Sequence, residues 1–432
     1  MSEIEKPNTK SSLSRRTFVQ NASMSTAALG LSSLAIPVAN AATGNATKTL
    51  KVGVVGCGGR GSGAAHNILS ADKNTVIWAV GDLSEKRFSR IESFNKGKLK
   101  GRIDTDGKKR QFVGFDAYQK VIDSGVDIVL LTTTPAFRPL HFEAAVAAGK
   151  HVFLEKPFAL DIPGLKSVID SAKKAQDKGV CVLTGLVWRY TKQFMEMHQR
   201  IQDGAIGDVL STSSAYASSS RPSKIPDIKY KPANMSEMQW SLGHWQCFLE
   251  FSGDGLLEFM IHGVDRMSWA MGDAMPVSCY ASGSNTYPIK GANSWDSFNL
   301  RFEYEDGRTA EFFGRQQPRT FSPIGDSIIG TTGRAITKGN HVALISGDKT
   351  IWQSGGAIGY VSEHEFFTEQ IRSGKVYNDV VDNHKLMNSH AIAIMGRSAA
   401  YSGALLTDKQ IMSSTDLLLD TKGLSFETPF TP

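Results

Sequence analysis

The sequence predicts an α/β chain, with a doubly wound parallel sheet on the amino-terminal side and then an α+β domain built on a mainly antiparallel open sheet. Three observations predict it. A β-branched run, Lys51-Val52-Gly53-Val54-Val55, feeds directly into a turn with glycine at 56, 58 and 61. Short apolar runs alternate with helical patterns from Leu50 to Gly185. After Arg189, strand patterns follow one another with few helices between them.

The first strand opens at Leu50, and its turn reads G-x-G-x-x-G. In that spacing the first glycine permits the tight turn, the second lets the main chain approach a pyrophosphate, and the third lets helix and strand pack closely. Donors at the following helix N-terminus then face the anion. Gly56, Gly58, Gly59, Arg60 and Gly61 therefore form the predicted phosphate site of a Rossmann dinucleotide domain. Five further strands are read at 76–80, 111–113 (weak), 127–131, 151–154 and 180–183, with helices at 139–148 and 162–176. The second strand ends in Val80-Gly81-Asp82, about twenty residues beyond the turn, where an acid accepts the adenosine ribose hydroxyls. Asp82 favours NAD, with NADP as the alternative cofactor. Its competing role is an N-cap for a helix starting near Ser84.

This predicts a dinucleotide-binding domain over 49–186 and a substrate domain over 187–432. In the second half, strands are read at 209–217, 277–282, 297–304 and 309–314. Residues 255–271 form an amphipathic helical pattern, and 363–373 a second one carrying Phe366 and Phe367. The serine-rich stretch 211–223 reads as a strand running into a loop.

Before the first strand, Ser14-Arg15-Arg16-Thr17-Phe18 precedes a mildly apolar stretch closed by Ala39-Asn40-Ala41. This is the pattern of a twin-arginine export signal over 1–41, with 42–48 as linker, and it predicts a periplasmic or secreted protein. An uncleaved leader is the one membrane attachment expected, because nothing later is apolar for long enough to span a bilayer. Removing 1–41, with four Lys/Arg against two Glu, lowers the formal charge from +6 to +4. That charge is too mild to imply nucleic acid, and the basic cluster from Lys96 to Arg110 has no aromatic residue for base stacking. Cys57, Cys181, Cys247 and Cys279 stand in no ligand or redox spacing, so neither a metal site nor a disulfide framework is predicted.

Two constellations carry chemistry. The first is Thr132-Thr133-Thr134-Pro135, then His141, then Gly149-Lys150-His151-Val152-Phe153-Leu154-Glu155-Lys156-Pro157. A lysine at the carboxyl end of a parallel strand projects into the crevice where ligands bind, and its ammonium can stabilise a developing alkoxide. The bland reading of Glu155 and Lys156 is a solvated pair. The second runs from Gly253 through Glu258 and His262 to Asp265, three side chains that share one face of a regular helix. A neutral imidazole there can take a hydroxyl proton as hydride leaves the same carbon. Before it stand Trp240, His244 and Trp245; the two tryptophans are a pair of indoles of the kind on which a sugar face stacks.

These segments resemble the Gfo/Idh/MocA family of glucose-fructose oxidoreductases, inositol dehydrogenases and rhizopine-catabolism proteins, over nearly all of the mature chain. The resemblance implies that Thr133, Pro135, Glu155 and Lys156 contact the cofactor and that Lys156 also reaches the substrate. It further implies an acid or base role for His262 beside Glu258, and substrate or cofactor contacts for Arg189, Tyr190 and Asp265. The chain departs from the commonest family form in having Glu258 for aspartate and Met260 for glycine. The implied activity is nicotinamide-dependent oxidation or reduction of a sugar or polyol, in a homo-oligomer paired through the second sheet. Export in the folded state further predicts a tightly retained cofactor. The alternative readings are an NAD-dependent glycosidase working through a transient 3-keto sugar and a non-catalytic periplasmic binding protein.

Overall fold

The computed structural model describes residues 48–221, 226–383 and 385–431; the predicted leader and residues 42–47 of the linker lie outside them. Leu50–Val55 forms β1, a valine-rich strand buried on both faces, as a central parallel strand requires. It is followed by α1 (Gly59–Ala71), β2 (Thr75–Asp82), β3 (Gln111–Val113) and α2 (Ala117–Asp123). Next come β4 (Ile128–Leu131), α3 (Arg138–Ala147), β5 (His151–Leu154), α4 (Ile162–Asp177) and β6 (Val182–Thr184). The sheet order is β3-β2-β1-β4-β5-β6, every pairing parallel. Strand order reverses beside β1, so the carboxyl ends of β1 and β4 open a ligand crevice. The α4 start is set by Asp161, whose carboxylate accepts from Gly164 N–H at 2.8 Å, with Pro163 in the first turn.

The second lobe begins with α5 (Lys192–Gln202), β7 (Val209–Ser218) and α6 (Glu237–Gly243). A π-helical turn, Leu256–Met260, leads into α7 (Ile261–Ala270). Seven strands follow: β8 (Ser278–Ser284), β9 (Ser297–Glu303), β10 (Thr309–Gln316), β11 (Ile324–Gly330), β12 (Arg334–Lys338), β13 (His341–Ser346) and β14 (Lys349–Ser354). The chain then forms α8 (Ser362–Ser373), α9 (Asn388–Ser402) and the short β15 (Leu406–Thr407). The sheet order is β14-β13-β12-β11-β7-β10-β9-β8-β15. All its pairings are antiparallel except β7 with β10, which is parallel.

Helices α5, α7 and α9 cover one face of this sheet, and alternate residues on the other face, including Leu210, Tyr280, Ile336 and Ile351, are exposed. The two lobes share a core: Phe158, Leu160 and Leu165 join Leu256, Met260, Ile392 and Met395 in one buried cluster. Helix α8 crosses back to pack along α1. Among the described residues no helix is long and apolar enough to cross a membrane.

Candidate active site

The glycine turn is dictated by crowding. Gly56 has φ +90°, and a Cβ there would lie 2.6 Å from the Thr133 nitrogen. A Cβ on Gly61 would lie 1.8 Å from the Gly56 carbonyl oxygen, so the returning helix can touch the turn only without a side chain. Gly58 precedes α1 without a side-chain cap, leaving the first-turn N–H groups as donors towards the cavity. A Cβ on Gly58 or Gly59 would meet nothing nearer than the guanidinium tips of Arg87 and Arg90, which is the open approach a pyrophosphate requires. The turn thus fits a dinucleotide.

Asp82, half-buried on the cavity wall, accepts hydrogen bonds from Cys57 N–H at 2.7 Å and Ser84 N–H at 3.0 Å. It both stands where the ribose is expected and organises the turn after β2. Burial raises its carboxyl pKa, against the pull of those N–H donors and Arg87.

At the end of β5 the chain turns through Glu155, Lys156 and a cis Lys156–Pro157 bond. Glu155 is buried against Arg60, an ion pair that crosses from the glycine turn, and its second oxygen accepts from its neighbour's N–H, on Lys156, at 2.8 Å. Room for that carboxylate comes from Gly185, where a Cβ would stand 2.9 Å from the Glu155 carboxyl carbon. Arg60 also pairs with the fully buried Glu363 of α8 at 3.2 Å and lies under the Tyr360 ring at 4.9 Å. Arg138 braces the other side, donating to the Pro157 carbonyl at 2.6 Å and the Thr133 carbonyl at 2.8 Å. Burial pulls its guanidinium down to about 10.

Lys156 extends from this turn and donates to the main-chain carbonyl of Glu258. Burial lowers its ammonium pKa, with the carboxylates of Glu258 and Glu155 opposing that shift. Glu258 sits in the π-turn, a local widening that recurs at functional sites. Its carboxylate accepts from Gln246 at 3.1 Å, and burial raises its pKa against Lys156. His262, at the start of α7, is held well below the ordinary imidazole value by burial and by Lys156, so it is neutral. Its Nδ1 has no hydrogen-bond partner among the described residues.

One cavity of about 900 Å³ unites these groups, a size suited to ligand binding. Its lining includes Gly56, Gly58, Gly59, Arg60, Asp82, Thr133, Glu155, Lys156, Glu258, His262, Trp240 and Trp245. The Trp240 and His244 rings stand 4.2 Å apart, with the indole N–H donating to the Pro226 carbonyl at 3.0 Å.

Five predicted site residues do not line the cavity; Gly61 packs within the turn against the Gly56 carbonyl. Pro135 is buried at the start of a short helical turn behind Thr133. Arg189 and Asp265 are joined in the second lobe's interior, Nη2 to Oδ1 at 2.8 Å, and Arg189 also holds Asp273 at 2.7 Å. Three residues beyond His262, α7 has turned its side chains from cavity to core, and the preceding π-turn breaks the regular 3.6-residue face assumed for 258, 262 and 265. Tyr190 donates to Asp379 at 3.0 Å, bracing the β6 end instead of the cavity. The sequence reading missed Arg138, Gln246, Tyr216, Phe259, Tyr360 and Phe426, all of which line the cavity. Arg138 had a signal, since it lies inside the Pro135-to-His141 segment; Tyr360 and Phe426 come from distant segments with no motif.

Residues 50–184 match the family model described as oxidoreductase family, NAD-binding Rossmann fold, and residues 194–336 match the GFO/IDH/MocA C-terminal domain. The chain is 30% identical over 260 residues to inositol 2-dehydrogenase/D-chiro-inositol 3-dehydrogenase of Lactiplantibacillus plantarum, covering 60% of this chain and 62% of that protein. It is 25% identical over 281 residues to a glycosyl hydrolase family 109 protein of Shewanella pealeana, covering 60% of this chain and 55% of that one. The matched stretch thus spans about three fifths or less of these curated relatives. In fold it is similar to levoglucosan dehydrogenase solved with NADH and levoglucosan, with TM-score 0.65, 16% identity, and coverage of 84% of this chain and 100% of that one. The two consecutive family models, meeting on a cavity that joins glycine turn to Lys156, establish that the chain belongs to the Gfo/Idh/MocA oxidoreductase family and carries its NAD-binding Rossmann domain.

Proposed function

We propose that the protein is an NAD-dependent oxidoreductase acting on a CH–OH group of a sugar, polyol or sugar derivative. The observation that carries this reading is that Lys156, Glu258 and His262 line the same cavity as Gly56, Gly58 and Gly59. NAD, when bound, supplies the hydride acceptor. His262, neutral through burial, accepts the hydroxyl proton. The Lys156 ammonium hydrogen-bonds the same oxygen and opposes the charge that develops on it. Glu258, fixed by Gln246, accepts a hydrogen bond from a neighbouring hydroxyl, and Trp240 and Trp245 offer apolar surface to the ring face. The inositol dehydrogenase relative and the levoglucosan-bound neighbour support a cyclic polyhydroxyl substrate.

The dinucleotide is retained between turnovers, a reading supported by Arg60, which the second lobe grips through Glu363 and Tyr360. The twin-arginine pattern at Arg15-Arg16 supports export of the folded, loaded protein, and the exposed face of the second sheet supports pairing of two copies. The test is to purify the folded protein without added nucleotide, identify any released dinucleotide, and follow reduced-nicotinamide absorbance on adding inositols and aldoses. Reduction by one of these substrates is expected. Unchanged absorbance with every sugar and glycoside, alongside intact ligand binding, would overturn the oxidoreductase reading.

The Shewanella relative favours a second reading, glycoside cleavage through a transient keto sugar. A chromogenic N-acetylgalactosaminide separates the two: aglycone release without net NADH supports cleavage, whereas a keto sugar or lactone supports the oxidoreductase.

A further inference from the structure

The C-terminal tail lies beyond residue 336 and therefore outside both family-model matches. It is fastened at two points, and a turn between them reaches the cavity. Leu418 N–H donates to Asp161 Oδ2 at 3.1 Å, fastening the tail to the start of α4. Phe430 is buried, its ring 4.8 Å from Phe251 and 5.8 Å from Phe248. Between these anchors Ser425 and Thr428 close a tight turn, with Ser425 N–H donating to Thr428 Oγ1 at 2.9 Å and Thr428 N–H to the Ser425 carbonyl at 3.3 Å. That turn presents Phe426.

Phe426 lines the cavity together with Asp82, Leu83 and Ser84, and its ring stands edge-on to Phe115 at 5.0 Å. Leu83, Phe115 and Phe426 pack into one apolar cluster with Phe430. Because Asp82 stands where the adenosine ribose is expected, the residues around Leu83 mark the adenine end of the cavity. That end carries an apolar wall suited to a flat heteroaromatic ring, and an aromatic face is the surface on which a base stacks.

We propose that the tail is a third component of the dinucleotide site, in which Phe426 is a cofactor-binding residue for the adenine ring and Phe430 is the anchor that positions it. The proposal rests on the dinucleotide reading of the cavity. It predicts that the tail governs affinity for the adenosine half of the cofactor and leaves the nicotinamide half untouched.

The test compares NADH with reduced nicotinamide mononucleotide, which lacks the adenosine, on the full chain and on Phe426→Ala. Dissociation is followed by competition with an excess of etheno-NAD. Phe426→Ala is expected to release NADH about tenfold faster or more, with mononucleotide affinity unchanged and Phe426→Trp restoring slow release. Phe426→Leu serves in its place should the alanine variant not fold, and Phe430→Ala is expected to reproduce the effect. Unchanged NADH release would overturn the proposal, and so would equal weakening of both ligands, since the tail would then be only structural. Failure of the unaltered protein to bind either ligand would instead overturn the dinucleotide reading beneath it.

Discussion

The ammonium of Lys156 donates to the main-chain carbonyl of Glu258, while the Glu258 carboxylate is held by Gln246. The lysine is therefore positioned by backbone and not neutralised by direct contact with that carboxylate. Its remaining donors are available to a substrate oxygen.

Lys156→Ala is expected to lower turnover by about 10²–10³-fold, the usual effect of removing one preorganised donor. His262→Ala is expected to lose about 10²–10⁴-fold, as for a general base. Both variants should keep the dinucleotide, because the glycine turn and Asp82 are untouched. Single-turnover hydride transfer, with the dinucleotide content of the purified variants, checks both; near-normal turnover in either removes that residue's role.

Gly185→Ala places a methyl group against the Glu155 carboxylate. Glu155 must then shift, releasing Arg60 from the ion pair that joins the glycine turn to the Lys156 loop. The expected outcome is weaker NADH binding and slower turnover together, with secondary structure retained. Equilibrium titration and steady-state kinetics measure the two effects.

Arg189→Ala leaves Asp265 and Asp273 buried without their shared cation. Removing one partner of such a cluster costs about 3–5 kcal/mol. The expected outcome is a large loss in denaturant stability with little change in substrate KM once the protein is folded. A selective rise in KM would instead restore the substrate role that the family resemblance implies.

His198 is buried against Trp269, ring centroids 3.6 Å apart, and burial with the nearby Arg189 and Arg266 lowers it to about 3. The unfolded chain, with an ordinary imidazole near about 6.5, takes up a proton first as pH falls, so this site removes stability from about pH 6.5 down to 3. His198→Phe keeps a ring against Trp269 without the titration. Between pH 7 and 5 the variant is expected to lose about 2 kcal/mol less than the unaltered protein, from about 1.4 kcal/mol per pH unit. Denaturant titrations at both pH values measure the difference.

The first lobe is legible because its parallel strands, the weak β3 apart, are short apolar runs bounded by turn residues; His151–Leu154 is read without error. The strands β11 to β14 are harder. Arg334–Lys338 alternates exposed and buried over only five residues, too short a run to stand out among polar neighbours. Helix α9 escapes for the opposite reason, since its small residues are buried almost all round and leave no amphipathic stripe. In the site, Lys156 is legible because motif and strand end coincide, and Glu258 and His262 because they stand one helical turn apart in the segment that resembles the family; all three line the cavity. Arg189 and Asp265 pair in the interior and do not line the cavity: for Asp265, helical spacing reports direction around an axis and says nothing of depth, and Arg189 had only the family resemblance behind it.

Arg60 and Glu363 are separated by 303 residues. The phosphate turn is therefore not complete when the amino-terminal half leaves the ribosome. Its guanidinium meets Glu155 within the first lobe, but its second partner, Glu363, arrives only with α8, a contact of very long sequence range that chain-closure entropy places late in folding. The phosphate turn of the first lobe thus reaches its final form only when both lobes are folded.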